Sequence, residues 1–256
     1  MDATTSRAGV HDLSIGLVTE TYTPEVNGVA MTLNRLVSGL CENGHRLQIY
    51  RPGRSRSGGP SRHGNISEQL MRGMPIPGYS AMHFGFPAAR FFLTQWQCSR
   101  PDIIYVATEG PLGASAIKTA SKLDIPAISG FHTNFHRYSQ HYHLGWLEPA
   151  ILGYLRRLHN MAGMTLVPTQ SLADTLQQQG FQNVEVLQRG VDTKLFNPER
   201  RSSELRHRWD ADQNTIVCIY VGRIAAEKNM QAAVDAVLAL SSHYPCLLYT
   251  SDAADE

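Results

Sequence analysis

Three clusters of residues have types and spacings suited to an anionic, hydroxyl-rich substrate. The first reads T-E-T-Y-T-P-E-V-N-G-V at residues 19–29. Asn27-Gly28 stands immediately before an apolar stripe of helical period. Free N–H groups and the positive end of a helix dipole make such a junction an anion site, and Gly28 has no side chain to block close approach. A plain helix-start turn is an equal reading of the local residues. The spacing G-x-G-x-x-G is missing, so the cluster is no nicotinamide or flavin fingerprint.

The second cluster, S-G-F-H-T-N-F-H-R-Y-S-Q-H-Y-H at residues 129–143, gathers His132, His136, His141 and His143 just after a short apolar run. His132 and His136 have the i, i+4 spacing of a zinc pair, but no carboxylate occurs until Glu148, so no metal is expected. Imidazoles that donate to hydroxyls, flanked by Phe131, Phe135, Tyr138 and Tyr142, suit a sugar or phosphate better. The third cluster, V-G-R-I-A-A-E-K-N at residues 221–229, sets Arg223 and Lys228 five residues apart across a strand-to-helix turn. Two cations so placed can both face one multiply charged group, with a diphosphate as the natural guest, or stand as two solvated surface charges. No nucleophile elbow, P-loop or H-E-x-x-H motif occurs, which leaves hydrolase, NTPase and metalloprotease templates without residues.

Alternating elements must position these clusters. Short apolar runs at 13–18, 46–50, 103–106, 127–129, 164–167 and 184–187 predict strands. Between them, helical periodicity predicts helices from Val29 to a stop at Asn43-Gly44, then at 88–97, 112–123 and 144–161, and one capped by Ser171. Val29, Leu33, Leu36, Val37 and Leu40 form the apolar stripe of the first helix. Strands alternating with helices of ten or more residues need crossover connections, so the fold class is α/β, a doubly wound, mainly parallel sheet. That domain covers residues 12–188, and residues 189–213 read as a linker. Residues 214–245 hold only the first βα unit of a second domain, with a buried stripe of Met230, Ala233, Val234, Val237 and Leu238. Residues 246–256 carry no strand or helix signal and read as the translation of a sequencing adapter, so the second domain is expected to be truncated.

Composition narrows the function. Lys and Arg number 23 against 22 Asp and Glu, a net charge of +1, so no basic field is available for nucleic acid. The four cysteines are widely spaced, which fits a reducing cytoplasm better than a disulfide framework. Neither a signal peptide nor a spanning helix is encoded. Residues 51–64 are all Arg, Gly, Ser, Pro or His and predict a mobile loop. It is either a solvated insertion or a means for Arg51, Arg54, Arg56 and Arg62 to approach anionic lipid headgroups. The stretch 146–157 suits a lipid surface or core packing through Leu147, Ile151, Leu155 and Leu158.

The three clusters in their order resemble the family 4 retaining glycosyltransferases of GT-B architecture. Six segments carry the resemblance: residues 19–29, E-N-G-H at 42–45, A-T-E-G-P-L-G at 107–113, F-H-T-N-F at 131–135, R-G-V-D-x-x-x-F at 189–196 and G-R-x-x-x-E-K-N at 222–229. The nearest likeness is to bacterial α-mannosyltransferases that use GDP-mannose, with sulfolipid-forming enzymes next. The resemblance implies two facing Rossmann-like domains with a nucleotide sugar between them, Arg223 and Lys228 on the donor diphosphate, and His132 as the catalytic contact to the donor sugar. It also implies Asn27 and Gly28 lining the cleft. Glu109 reads either as an acceptor contact or as a structural hydrogen bond to its loop. The reaction implied is front-face hexosyl transfer with no protein nucleophile, no metal and no cofactor. Its partners are a nucleotide-sugar donor and a lipid or glycan acceptor, and its place is the cytoplasm, either free or peripheral on the inner face of the membrane. The family's two donor-binding glutamates fall beyond residue 256, so the fragment alone is expected to be inactive. A noncatalytic nucleotide-sugar-binding half-enzyme and a UDP-sugar-dependent glycolipid synthase are the alternatives.

Overall fold

The computed structural model describes residues 12–25, 27–53, 61–76, 79–132, 148–221, 229–244 and 246–251. The chain divides into two compact units, one ending at Gly190 and the other beginning at Val191. The first unit opens with β1 (Ser14–Val18), α1 (Gly28–Glu42) and β2 (Arg46–Pro52). Four strands follow: β3 (Ser61–His63), β4 (Ile66–Met71), β5 (Gly73–Ile76) and β6 (Tyr79–Gly85). Regular alternation then resumes with α2 (Ala89–Cys98), β7 (Ile103–Val106), α3 (Pro111–Lys122), β8 (Ala127–Gly130), α4 (Glu148–Met161), β9 (Met164–Val167), α5 (Gln170–Gln178) and β10 (Val184–Val186).

The main sheet has the order β10-β9-β8-β7-β1-β2-β4-β3 and is parallel except for β3, which runs antiparallel to β4. From β1 the chain steps outward to β2 and β4, then returns to β7 on the other side of β1 and steps outward again. The reversal leaves a crevice at the carboxyl ends of β1 and β7, the place where open α/β sheets hold ligands.

Both faces of the sheet are covered, as parallel strands require. Ile15 and Leu17 of β1, Leu47 and Ile49 of β2 and Tyr105 of β7 pack with Leu33 and Val37 of α1. The alternate residues Val18, Tyr50, Ile104 and Val106 pack on the opposite face with Phe92, Trp96, Leu112, Ile117 and Leu158. Each such burial stabilises by roughly 1.5–3 kcal/mol. The Phe92 ring stacks on Trp96 with centroids 4.6 Å apart, and the indole N–H donates to the Tyr50 hydroxyl at 3.2 Å. A third cluster joins Phe131, Leu155, Val167, Ala173, Leu176, Phe181 and Val184. Leu155 and Leu158 are therefore core residues of α4, while Leu147 lies outside the described residues.

Several expectations are corrected. Residues 51–64 are not one loop: Arg51 and Pro52 end β2, where the Arg51 guanidinium pairs with Glu68, and Ser61–His63 is an edge strand. Arg54 and Arg56 lie outside the described residues. The cap of α5 is Thr169, whose hydroxyl accepts from the Leu172 N–H at 3.3 Å, and Ser171 sits inside the helix.

In the second unit, residues 189–213 are not a plain linker, since a 3₁₀ turn at Pro198–Arg200 and a short helix α6 (Ser203–Arg208) form there. Beyond them lie β11 (Ile216–Val221), α7 (Met230–Ser241) and β12 (Cys246–Ser251). β12 pairs in parallel with β11 from Ile216↔Cys246 to Val221↔Ser251. The unit is thus βαβ, not a lone βα, and C-L-L-Y-T-S forms a strand because Leu, Tyr and Thr suit a pleated surface. The stripe expected to be buried on α7 is not: no residue of that helix is buried, and Leu238 is 63% exposed. One helix across one pair of strands offers too little surface to close over it.

Candidate functional site

Parallel strands bring four chain segments to one edge of the first unit. The segment after β1 carries Glu20 and leads to Asn27 and Gly28. The segment after β7 carries Thr108, Glu109 and Gly110. His132 follows β8 and Arg189 follows β10.

At the start of α1, the Asn27 Oδ1 accepts from the Val29 N–H at 3.1 Å and the Ala30 N–H at 2.9 Å. Its Nδ2 donates to the Thr21 hydroxyl at 2.6 Å. The Asn27 side chain is therefore spent on capping and shaping the turn, and only the Gly28 N–H of the first turn is left without a partner among the described residues. A Cβ on Gly28 would stand 3.4 Å from the Arg189 Nη1.

His132 is fixed by Tyr105, whose hydroxyl shares a 2.7 Å hydrogen bond with Nε2. Gly130 permits that pair, since a Cβ there would fall 2.6 Å from both the Tyr105 oxygen and Nε2. The other ring nitrogen, Nδ1, is buried without a partner. Burial, and secondarily the charge of Arg189, lowers the imidazole to about 4, so the ring is neutral at physiological pH. Burial likewise raises the Tyr105 phenol.

Glu109 is buried, and its Oε1 has no hydrogen-bond partner but lies 3.7 Å from the His159 Nε2 of α4. The His159 Nδ1 is 2.8 Å from the Ser129 hydroxyl, and the Tyr154 hydroxyl donates to the Glu109 carbonyl at 3.4 Å.

Glu20 escaped notice within its motif. Its Oε1 accepts from the Leu112 N–H at 3.3 Å, so it caps α3 from across the crevice where Gly110 cannot. Its backbone N–H binds the Thr108 hydroxyl at 2.9 Å. A Cβ on Gly110 would collide with the Glu20 carboxylate. Burial pushes this carboxyl up to about 7, against backbone hydrogen bonds from Leu112 and Gly85 that lower it, with the charge of Glu109 adding to the rise. An acid directly after a strand was the available signal. Tyr105 gave none, because its role arises from a contact with a distant segment, and Arg189 stood only within the R-G-V-D segment, with no role assigned to it. Arg223 and Lys228 lie outside the described residues, as do His136, His141 and His143. Among the described residues no group of three or more His, Cys, Asp or Glu assembles as a metal set, and no helix is long and apolar enough to cross a membrane.

The family model described as Glycosyltransferase Family 4 matches residues 26–195. This chain belongs to that family. The family 4 chain is 31% identical over 226 residues to a GDP-mannose-dependent alpha-mannosyltransferase of Corynebacterium glutamicum, a match covering 87% of this chain and 54% of that enzyme. It is 29% identical over 164 residues to the sulfoquinovosyl transferase SQD2 of Arabidopsis thaliana, covering 62% of this chain and 32% of that protein. Sucrose-phosphate synthase from Thermosynechococcus elongatus shares the fold, with a TM-score of 0.61 at 13% identity over 93% of this chain and 62% of that one. The chain is thus a glycosyltransferase by family, with the α/β architecture of GT-B enzymes. It spans about half the length of the mannosyltransferase it matches.

Proposed function

We infer that the complete protein transfers mannose from GDP-mannose, with retention, to a hydroxyl of a lipid or glycan. The observation that carries this reading is the 31% identity to the GDP-mannose-dependent mannosyltransferase across 87% of the chain. In this reading His132 contacts the donor sugar, while Tyr105 holds the ring. Arg223 and Lys228 face the diphosphate. Cleavage of the glycosidic bond loads negative charge onto the leaving oxygen, and cations matched to that charge stabilise the transition state more than the ground state. The leaving phosphate takes the acceptor's proton, so no protein nucleophile, metal or cofactor enters. The Gly28 main chain lines the cleft, and Asn27 shapes it. The reaction belongs to the cytoplasm, at the inner face of the membrane when the acceptor is a lipid.

The test is donor screening with the full-length protein, with anomeric configuration read by NMR and a chelator present in parallel. Transfer from GDP-mannose giving the α product, unchanged by the chelator, is expected. Transfer from a UDP-sugar instead would favour the glycolipid synthase reading, which the likeness to a sulfoquinovosyl transferase supports. Binding of donors without any transfer would favour a noncatalytic nucleotide-sugar-binding protein.

A further inference from the structure

The Tyr105 hydroxyl and the His132 Nε2 are 2.7 Å apart, so one of them donates and the other accepts. Gly130, the last residue of β8, makes room for the pair, because a Cβ there would fall 2.6 Å from both atoms. Among the described residues the hydroxyl has no second partner, and the His132 Nδ1 is buried with none. The charges that act on the pair are those of Arg189, which follows β10, and Glu109, which follows β7. Burial and Arg189 keep the imidazole uncharged, and burial keeps the proton on the phenol. Two protons therefore have to be placed on three polar atoms.

Two placements are open. In the first, the phenol O–H donates to Nε2 and the imidazole proton sits on Nδ1, which leaves one polar group, the Nδ1–H, unpaired. In the second, the Nε2–H donates to the phenol oxygen, and both the phenol hydrogen and the Nδ1 lone pair are left over. Each buried group without a partner carries a desolvation cost, so the first placement, with one such group against two, is favoured. Acidity points the same way. A phenol is a good donor, and an imidazole nitrogen, which ordinarily takes a proton at about pH 6.5, is the better acceptor of the two.

We infer that Tyr105 is a positioning residue: by donating to Nε2 it orients the His132 ring and holds it as the Nδ1–H tautomer. The tautomer a histidine adopts is set by the hydrogen bond that one ring nitrogen makes, and here that bond comes from a rigid element. Tyr105 is registered between Leu17 of β1 and Ile128 of β8, whereas the ring it holds follows the end of β8. The consequence for sugar transfer rests on the proposed function, while the tautomer itself does not. A ring released by Tyr105 would exchange donor and acceptor or turn away. A contact to the reacting sugar that is misplaced in this way loses transition-state stabilisation more than nucleotide affinity.

The experiment compares the wild type with Tyr105→Phe, which keeps the buried ring and removes only the hydroxyl, with thermal unfolding by circular dichroism to confirm that the variant folds. Nitrogen NMR of the isotope-labelled 256-residue chain, at a pH well above the His132 titration, reads the tautomer directly. The His132 ring nitrogens, assigned by their loss in His132→Gln, are expected to show a pyridine-type Nε2 and a pyrrole-type Nδ1. Tyr105→Phe should erase that split and average the two nitrogens. In the full-length protein the same substitution should lower kcat on the order of ten-fold, the typical worth of one hydrogen bond, with KM for the donor changed by less than about two-fold. A pyrrole-type Nε2 or averaged nitrogens in the wild type overturns the proposal, as does a split that persists in Tyr105→Phe or a kcat that does not fall. Absence of any sugar transfer by the full-length wild type, with the nitrogen split intact, would instead sink the mannosyl-transfer reading and leave the tautomer standing.

Discussion

The two units use the same βαβ grammar and reach opposite degrees of closure. In the first, β1 is flanked by β7 and β2 and covered on both faces, so Leu17, Val18, Leu33, Phe92 and Trp96 are all at most 1% exposed. In the second, β11 has one partner among the described residues, and Ile219, Val221 and Leu238 are each more than half exposed. Titration follows the same divide. Glu20 is shifted upward mainly by burial. Asp212, fully exposed, is lowered chiefly by the Thr215 hydroxyl, then by the backbone N–H groups of Thr215 and Asn214. Apolar sequence makes a strand or a helix, but only layers on both sides make a core.

The largest effect that would sharpen this contrast lies at Phe92. Its ring stacks on Trp96 and meets Tyr50 edge-on with centroids 5.4 Å apart. Phe92→Ala should destabilise the first unit by about 3–5 kcal/mol, the range for a buried aromatic replaced by a cavity. Urea unfolding followed by circular dichroism reads the change. A loss below about 1 kcal/mol would mean that this face is not closed.

Closure of the first unit was legible because its signals are local. Leu33 and Val37 fall on a helical stripe, and β1, β7 and β8 are apolar runs bounded by turns. Residues 61–85 escaped because β3 is the polar, fully exposed triplet Ser-Arg-His, and Gly73 and Pro75 of β5 are poor strand formers. The site was legible where a strand end coincides with a helix start, as at Gly28, or with a cluster, as at His132. Glu20 and Tyr105 were not, because tertiary juxtaposition alone makes a buried acid and a ring clamp of them.

The next effect tests burial through protons. Glu20 has a folded value of about 7 against the usual 4.5, so between these pH values the folded state holds more protons than the unfolded one. Its contribution to stability is fully present below pH 4.5 and is lost as pH rises through about 7. His132, lowered from 6.5 to about 4, acts in the opposite sense, and stability from it is lost as pH falls from 6.5 through about 4. Glu20→Gln should therefore gain about 2–3 kcal/mol on the wild type between pH 4.5 and 8, and His132→Gln should lose the acid-side slope. Stability profiles of the two variants against the wild type separate the contributions. Parallel profiles for wild type and Glu20→Gln would show that the crevice is wet and that the first unit is as open there as the second.

The smallest effect is expected at Leu238, and it is the sharpest test of the open unit. Leu33 on α1 is fully buried, whereas Leu238 on α7 is 63% exposed, although both are leucines on apolar stripes of helices that follow a parallel strand. Hydrophobic stabilisation scales with the area removed from water, about 25 cal/mol per Å², so most of the Leu238 side chain has nothing to lose. Leu238→Ala should change stability by less than about 0.5 kcal/mol, while Leu33→Ala costs about 2–5 kcal/mol. Because alanine is also the better helix former, a slight gain at Leu238 fits the same picture. A loss of about 2 kcal/mol there would mean that α7 is covered in solution, and the contrast between the units would collapse to a difference of size.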